Sequence, residues 1–129
     1  MNRPRQSLPR GLRHPESFRR FAEPADQDSD TYGSFDNQLN AMYGNLHAGE
    51  PTNSAWLRRG DEVISFLEHA LEGPYTDQEL ATMWLTSGAQ TYFPAKHVRF
   101  ALSHMLDRVR EFQEQNKAGT FVSYWSTLT

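Results

Sequence analysis

The chain has 129 residues, which is enough for one domain with a hydrophobic core and too few for two. It contains no cysteine, and this excludes disulfide scaffolds, thiolate metal sites and cysteine nucleophiles. The net charge of −3 is unevenly distributed, because residues 1–20 carry +5 and residues 21–129 carry −8.

Residues 1–33 are rich in arginine, proline and small polar residues and show no apolar period. We predict a basic, flexible leader followed by a linker, AEPADQDSDTYGS. The basic start has no apolar stretch behind it, so it does not fit a secretory signal. No apolar run in the chain approaches the roughly 18 residues that a membrane helix needs. A cytoplasmic location is therefore expected.

Two amphipathic helices are predicted next, over about residues 35–47 and 54–72. The apolar face of the first consists of Phe35, Leu39, Met42, Tyr43 and Leu46. Ser34 can cap its start, and Asn53 or Ser54 can cap the second. Gly60 lies inside the second helix, where glycine costs about 1 kcal/mol relative to alanine.

Two further helices are predicted over about residues 77–87 and 94–115. Thr76 and Glu79 have the spacing of a capping box at the start of the third helix. Pro94 suits the first position of the fourth. The apolar stripe of that helix is the most regular in the chain: Val98, Ala101, Leu102, Met105, Leu106, Val109 and Phe112.

Four helices joined by short turns predict a mainly all-α fold, a small four-helix bundle over residues 34–129 with an extended N-terminal arm. The last residues, 119–129, read GTFVSYWSTLT and alternate aromatic and β-branched side chains. We expect this tail to be extended or strand-like and to lie across the bundle, burying Trp125.

The start of the fourth helix brings together Lys96, His97 and Arg99. A general base beside phosphate-binding cations would suit a small ribonuclease, although solvated side chains on the polar side of a helix explain the same residues. His97 and His104 are two turns apart, about 10.5 Å along the axis. Metal-binding pairs on helices are spaced by three or four residues, so a shared metal ion is not expected.

Carboxylates are concentrated in the second and third predicted helices. They are Asp61, Glu62, Glu68, Glu72, Asp77 and Glu79. Acid–base catalysis or a divalent metal would need a close, fixed pair, whereas these residues are spread along both helices. We interpret them as an acidic face on which a basic partner docks, with Tyr75 between the helices as an aromatic contact. Catalytic residues, metal ligands and cofactors are not expected.

The order of segments resembles a known family. QLNAMYGNLHAGE (residues 38–50), a middle helix ending in FLEHALEG and then TDQELATMWLTSGAQTYFPAKHVRFALSHMLDRV are similar to helical immunity proteins of bacterial contact-dependent growth inhibition systems. The positions that carry the resemblance are Leu39, Met42, Tyr43, His47, Leu80, Trp84, Gly88, Tyr92, Pro94 and the helix through Leu106.

The resemblance implies that the protein binds the toxic C-terminal domain of a delivered surface protein and blocks it in the cytoplasm. Such toxins are often nucleases with basic clefts, which an acidic body complements. Two alternatives remain open. One is a small nucleic-acid-associated regulator that uses the arginine-rich residues 1–20, with the bundle for dimerisation; the other is a small ribonuclease with Lys96 and His97 in its site.

Overall fold

The computed structural model describes residues 8–25, 32–49 and 52–125. Within these ranges the regular structure is helical, without a β-strand, and this confirms the predicted mainly-α fold. The five α-helices are α1 (Glu16–Ala22), α2 (Phe35–Gly44), α3 (Asn53–Glu72), α4 (Asp77–Leu85) and α5 (Ala95–Lys117). Two 3₁₀ turns, Arg10–Leu12 and Asn45–His47, precede α1 and extend α2. None of the described helices is long and apolar enough to cross a membrane.

The four predicted helices are present, and local capping chemistry sets where they begin. Ser34 caps α2, and Thr76 and Glu79 form the predicted capping box of α4. The predicted cap of α3 was wrong, because Thr52 holds that place and the two residues after it are already helical. Pro94 is the N-cap of α5 rather than its first residue. These differences are small because apolar periodicity defines a helix more sharply than its ends.

The N-terminal segment is folded, which corrects the prediction of an extended arm over residues 1–33. Leu12, Phe18 and Phe21 are fully buried, and α1 packs against α3. The ring centroids of Phe18 and Phe66, a residue of α3, are 4.7 Å apart. This segment therefore supplies part of the hydrophobic core.

Only part of the predicted arm is tested by this finding. Residues 1–7 and 26–31 lie outside the described residues. The folded part was missed because α1 is only seven residues long and its apolar side chains stand among arginines and prolines. So short a segment gives little periodicity to detect.

The core lies between α3 and α5, which pack along each other, while α4 and α2 cover α5 on either side. Trp84 from α4 and Tyr43 from α2 are the two largest fully buried side chains. The Trp84 indole nitrogen donates to the carbonyl of Thr91 at 2.9 Å, so its polar atom is paired. Burial of these large rings is the main source of stability in the bundle.

A buried polar network joins α2, α3 and α5. The Tyr43 hydroxyl donates to Oε1 of Gln113 at 2.6 Å and accepts from Nδ2 of Asn116 at 3.0 Å. Nε2 of Gln113 donates to the Leu57 carbonyl at 2.7 Å and to Oδ1 of Asp61 at 2.9 Å. Burial raises the pKa of Tyr43 to about 12, with the nearby Asp61 carboxylate adding to the rise against the Asn116 bond. Tyr43 is therefore a protonated donor at ordinary pH.

Gly60 is required by this network. A Cβ at position 60 would collide with the carboxamide of Gln113, at only 2.7 Å from its Cδ. Gln113 is 1% exposed and bonded on both ends of its carboxamide, so its side chain cannot move aside without losing those bonds. The glycine thus allows α5 to place Gln113 against the backbone of α3.

The tail after α5 crosses α2 and is not a strand over its described residues. Phe121 packs edge-on against Tyr43 and Trp56, with centroids 4.9 and 5.6 Å away. The Asn40 side chain then holds the tail backbone, donating to the carbonyl of residue 122 and accepting from the amide of residue 124. Residues 126–129 lie outside the described part.

Trp125 is only partly as predicted. Its indole nitrogen donates to the Ala41 carbonyl of α2 at 2.8 Å, so the tail does lie across the bundle. The side chain nevertheless stays 40% exposed, and the expectation that it is buried was wrong. The reason is that the hydrogen bond to the Ala41 carbonyl holds the indole at the surface of α2.

Candidate functional site

The predicted partner-binding carboxylates lie on the solvent side of α3 and at the start of α4. In α3, Asp61, Glu62 and Glu72 are exposed and Glu68 is half-buried; in α4, Asp77 is exposed and Glu79 half-buried. At about 100° per residue, Asp61, Glu68 and Glu72 lie on the side of α3 opposite Val63 and Leu67, which face the core, and exposed Glu62 lies roughly a quarter-turn around the helix from them. We call these four residues the acidic face of α3.

Arginines of α5 partly neutralise this region. Arg110 pairs with Glu68 at 2.6 Å, and Arg99 pairs with Asp77 at 2.9 Å. Arg99 also donates to the Tyr75 carbonyl at 2.9 Å, so it fastens the α3–α4 connection to α5. Two of the six carboxylates therefore hold the fold together as well as carrying charge.

The remaining four carboxylates differ in how free they are. Asp61 accepts the bond from Gln113, and Glu79 closes the capping box. Glu62 and Glu72 make neither an ion pair nor a side-chain hydrogen bond within the described part of the chain. These two are the carboxylates best placed to meet a partner without breaking an internal contact.

Tyr75, predicted as an aromatic contact for a partner, also has contacts within the fold. Its ring is half-buried against the core, and its hydroxyl is 2.9 Å from Nε2 of His69. The Arg10–Leu12 turn passes close by, with Gly11 directly beside the hydroxyl. The folded N-terminal segment, which the sequence analysis expected to be an arm, lies beside this tyrosine.

Half of the negative charge assigned to the acidic body lies elsewhere. Of the net −8 in residues 21–129, four charges come from Asp26, Asp28, Asp30 and Glu50, which are outside the described residues. Of the eleven carboxylates in the described part of residues 21–129, six lie on α3 and α4 and three on α5.

The cations at the start of α5 do not converge. Lys96 and His97 are exposed, whereas Arg99 is turned toward α4 by its bonds to Asp77. His104 lies 3.2 Å from Oδ1 of Asp36 and stacks on a phenylalanine of α2. Because Arg99 is held against α4, it does not stand beside His97 in a way that would let both contact one phosphate. This geometry does not support the ribonuclease hypothesis.

The arrangement of possible metal ligands can be followed in the part of the chain that the structure describes. Within residues 8–25, 32–49 and 52–125, no three His, Asp or Glu side chains are grouped closely enough to hold a metal ion. His104, two turns along α5 from His97, lies 3.2 Å from the carboxylate of Asp36.

The sequence did not indicate an open groove where the tail crosses the end of α2. The groove has a volume of about 840 Å³. It is lined by Gly44, Asn45, His47, Ala48, Trp56, Phe121, Val122, Ser123 and Trp125. We call it the aromatic groove, after Trp56, Phe121 and Trp125 in its lining.

Packing fixes the walls of the aromatic groove. The exposed imidazole of His47 stacks on Trp56, with centroids 4.6 Å apart. Trp56 donates its indole hydrogen to the Tyr43 carbonyl at 3.1 Å. The rim carries Val122, which is 65% exposed. The only signal in the sequence was the run of aromatic and β-branched residues in the tail, which had no visible counterpart elsewhere.

His14 attaches the N-terminal segment to the end of α4. Its Nε2 lies 2.8 Å from the carbonyl of Met83 and 3.2 Å from the hydroxyl of Thr86. Since a carbonyl only accepts, Nε2 carries the hydrogen. Burial lowers the pKa of His14, and the charge of Arg19 lowers it further against the Met83 bond, which acts to raise it.

We expect stability to fall as the pH drops below about 6.5, the ordinary pKa of histidine. The unfolded chain then binds a proton at His14 before the folded chain does, so the loss begins there and ends below the lowered folded pKa. Urea unfolding from pH 8 to 5 measures this. His14→Gln should make the free energy of unfolding depend less on pH, and the exposed variant His97→Gln should not. If the free energy of unfolding changes with pH equally in the wild type and in His14→Gln, the assignment to His14 is contradicted.

Comparison of the chain with known protein families, with curated proteins and with solved structures finds no match. Function is therefore inferred from the charge, exposure and contacts of the residues themselves. Two surfaces stand out on these grounds, the acidic face of α3 and the aromatic groove.

Proposed function

We propose that the protein is an immunity protein, which binds a cognate toxin domain and neutralises it by protein–protein interaction. The observation that supports the proposal is the acidic face of α3, where a single long helix carries four carboxylates on its solvent-accessible surface. A rigid helix face is a stable platform for such charges, because its side chains keep their spacing when a partner approaches.

The chemistry of the partner follows from this face. A nuclease domain carries Lys and Arg around its cleft to bind phosphates, and carboxylates along a helix can replace those phosphates. Opposite charges also speed the encounter, by an amount that falls as salt is added. The inhibitor would act by covering the cleft, with no chemical step of its own.

Glu62 and Glu72 are the carboxylates on which the proposal depends most. Neither is tied to an arginine or to a cap within the described residues, so each can pair with a partner at little structural cost. Glu68 is less available, because pairing with a partner would compete with Arg110. The resemblance to immunity proteins and the charge of this face point to the same class of function.

The proposal is tested by capturing the partner from the producing cell, at about 150 mM salt where exposed charges are already largely screened beyond about 8 Å, after nuclease treatment. One stoichiometric protein is expected, and one equivalent of the inhibitor should abolish its toxicity or nuclease activity. Nucleic acid as the only bound species, or a captured protein that stays fully active, would contradict the proposal.

Charge reversal then tests the surface. The double variant Glu62→Lys/Glu72→Lys should weaken binding of the purified partner by about tenfold or more, mainly through slower association at low salt. Its matched control is Glu23→Lys/Glu114→Lys, which changes the net charge equally at exposed positions outside α3. If both variants lose the same affinity, net charge and not the α3 face governs binding.

A further inference from the structure

The chain after α5 lies outside the buried core. Asn116 is the last buried residue of the described chain, and residues 117–125 are all exposed or half-buried. We call residues 119–125 the strap, since they cross α2. The buried residues of the core belong to earlier segments, so they keep their contacts with one another when the strap leaves. A segment that contributes few buried apolar contacts opens at a lower free-energy cost than the whole protein unfolds.

Contacts with one turn of α2 hold the strap in place. The Asn40 carboxamide donates to the Val122 carbonyl at 3.0 Å and accepts from the Tyr124 amide at 2.6 Å. The indole nitrogen of Trp125 donates to the Ala41 carbonyl at 2.8 Å. Because the two α2 residues are neighbours in the chain, we expect these hydrogen bonds to form and break together.

Phe121 is the apolar contact between the strap and the bundle. Its half-buried ring lies 4.9 Å from that of Tyr43, 5.4 Å from Phe112 and 5.6 Å from Trp56, measured between centroids. These three rings are held by other parts of the fold as well. Tyr43 bonds to Gln113, and the Trp56 indole donates to the Tyr43 carbonyl at 3.1 Å. The surface under Phe121 therefore does not need the strap for its position.

The end of α5 provides a hinge. Gly119 has a φ of 76°, in the left-handed region that favours glycine. The amides of Thr120 and Phe121 both donate to the Gln115 carbonyl, at 2.8 and 3.2 Å, which closes the helix in the manner of a C-cap. Hinges are typically a few residues at the end of an element that absorb a change in φ and ψ. Rotation here moves the strap and leaves α5 intact.

The strap forms one wall of the aromatic groove. Of the nine described residues that line the groove, four belong to the strap: Phe121, Val122, Ser123 and Trp125. The other wall comes from the end of α2, the turn after it and Trp56 of α3. The groove is therefore present only while the strap lies on α2.

We propose that the strap opens and closes as a unit about Gly119 while the bundle stays folded, and that it thereby forms and dismantles the aromatic groove. In the closed form, Asn40 and the Ala41 carbonyl hold the strap across α2. In the open form, one wall of the groove is gone and the ring surface that Phe121 covered faces the solvent. This device does not involve the acidic face of α3, so it is independent of the proposed function.

Hydrogen exchange of the ¹⁵N-labelled full chain, followed by NMR, tests the device. The reporters of the strap are the Tyr124 amide and the Trp125 indole; the reporter of the bundle is the amide of buried Val109 in the middle of α5. Each measured rate, divided by the rate of the unprotected group, gives the population in which that hydrogen is open.

The two strap hydrogens should share one opening, populated about a hundredfold or more above the opening of the Val109 amide. Low concentrations of urea should accelerate exchange at Val109 and leave the strap hydrogens nearly unchanged, because opening the strap exposes little surface. Strap hydrogens that open as rarely as Val109, or that open independently of each other, would overturn the proposal.

A matched pair of variants tests whether the strap moves as a unit. Asn40→Ala removes the contacts with the strap backbone and leaves the Ala41 carbonyl in place, so the Trp125 indole is the decisive reporter. Its opening should become about tenfold more populated or more, while that of Val109 changes by less than about threefold.

Asn53→Ala is the control, since it makes the same chemical change at an exposed position of α3. It should leave the opening of the Trp125 indole within about threefold of the wild type. Two results with Asn40→Ala would overturn the device. In one, the Trp125 indole opens no more often than in the wild type; in the other, the Val109 amide opens as much more often as the indole does.

Discussion

Replacing Phe18 with alanine is expected to lower the free energy of unfolding by about 3–5 kcal/mol, the range for a buried phenylalanine. The ring is fully buried, and it contacts Phe66 at 4.7 Å, Phe21 at 6.0 Å and Trp84 at 6.1 Å between centroids. Losing it opens a cavity where α1, α3 and α4 meet. Urea unfolding of the full chain, followed by tryptophan fluorescence, measures the change.

The control for this prediction is Arg19→Ala, one residue further along the same helix. Arg19 is exposed, so its loss should change stability by no more than about 0.5 kcal/mol. If Phe18→Ala is as mild as Arg19→Ala, the N-terminal segment is not part of the folded core. The same contacts mean that removing residues 1–20 is a poor test of an arginine-rich arm, because it also removes Leu12 and Phe18.

Gly60→Ala is expected to destabilise the protein by about 2–4 kcal/mol, although alanine is the better helix former by about 1 kcal/mol. The new methyl group would collide with the carboxamide of Gln113 and push it away from Tyr43 and Leu57. The steric effect and the lost hydrogen bonds outweigh the gain in helix propensity. Chemical denaturation, analysed with one m-value for both proteins, gives the difference in the free energy of unfolding.

A double-mutant cycle separates this contact from a general effect of crowding. Gln113→Ala alone should also be costly, because it leaves the buried Tyr43 hydroxyl without its acceptor. In the double variant Gly60→Ala/Gln113→Ala the methyl group has room, so the combined loss should be smaller than the two losses added, by about 1 kcal/mol or more. Strict additivity would show that Gly60 is needed for another reason.

The bundle could be predicted because its information is local. Val98, Leu102 and Val109 repeat at the helical spacing. Thr76 and Glu79, which lie within four residues of each other, indicate the start of a helix. The N-terminal helix could not be predicted in the same way, since Phe18 and Phe21 are a single turn of apolar sequence. These two rings belong to the core because they pack into the space between α3 and α4. That space exists only once the helices have assembled.

The candidate surfaces show the same difference between features formed within one helix and features formed by distant segments. The acidic face was predicted because Glu62 and Glu72 belong to one helix, whose geometry places them. The ion pairs of Glu68 and Asp77 were not predicted, since their partners Arg110 and Arg99 come from α5 and reach α3 and α4 only after folding. The aromatic groove was not foreseen at all, because it joins Trp56 to Trp125 across a separation that no local pattern spans.

The tail that holds α2 also sets the order in which the molecule can be completed during synthesis. Asn40 and the Ala41 carbonyl find their partners 82 to 84 residues later in the chain. At about 5–20 residues per second, translation leaves them without these partners for several seconds after α2 has been made. The core of α3, α4 and α5 can assemble first, and the aromatic groove forms only when the tail has been made and lies across α2.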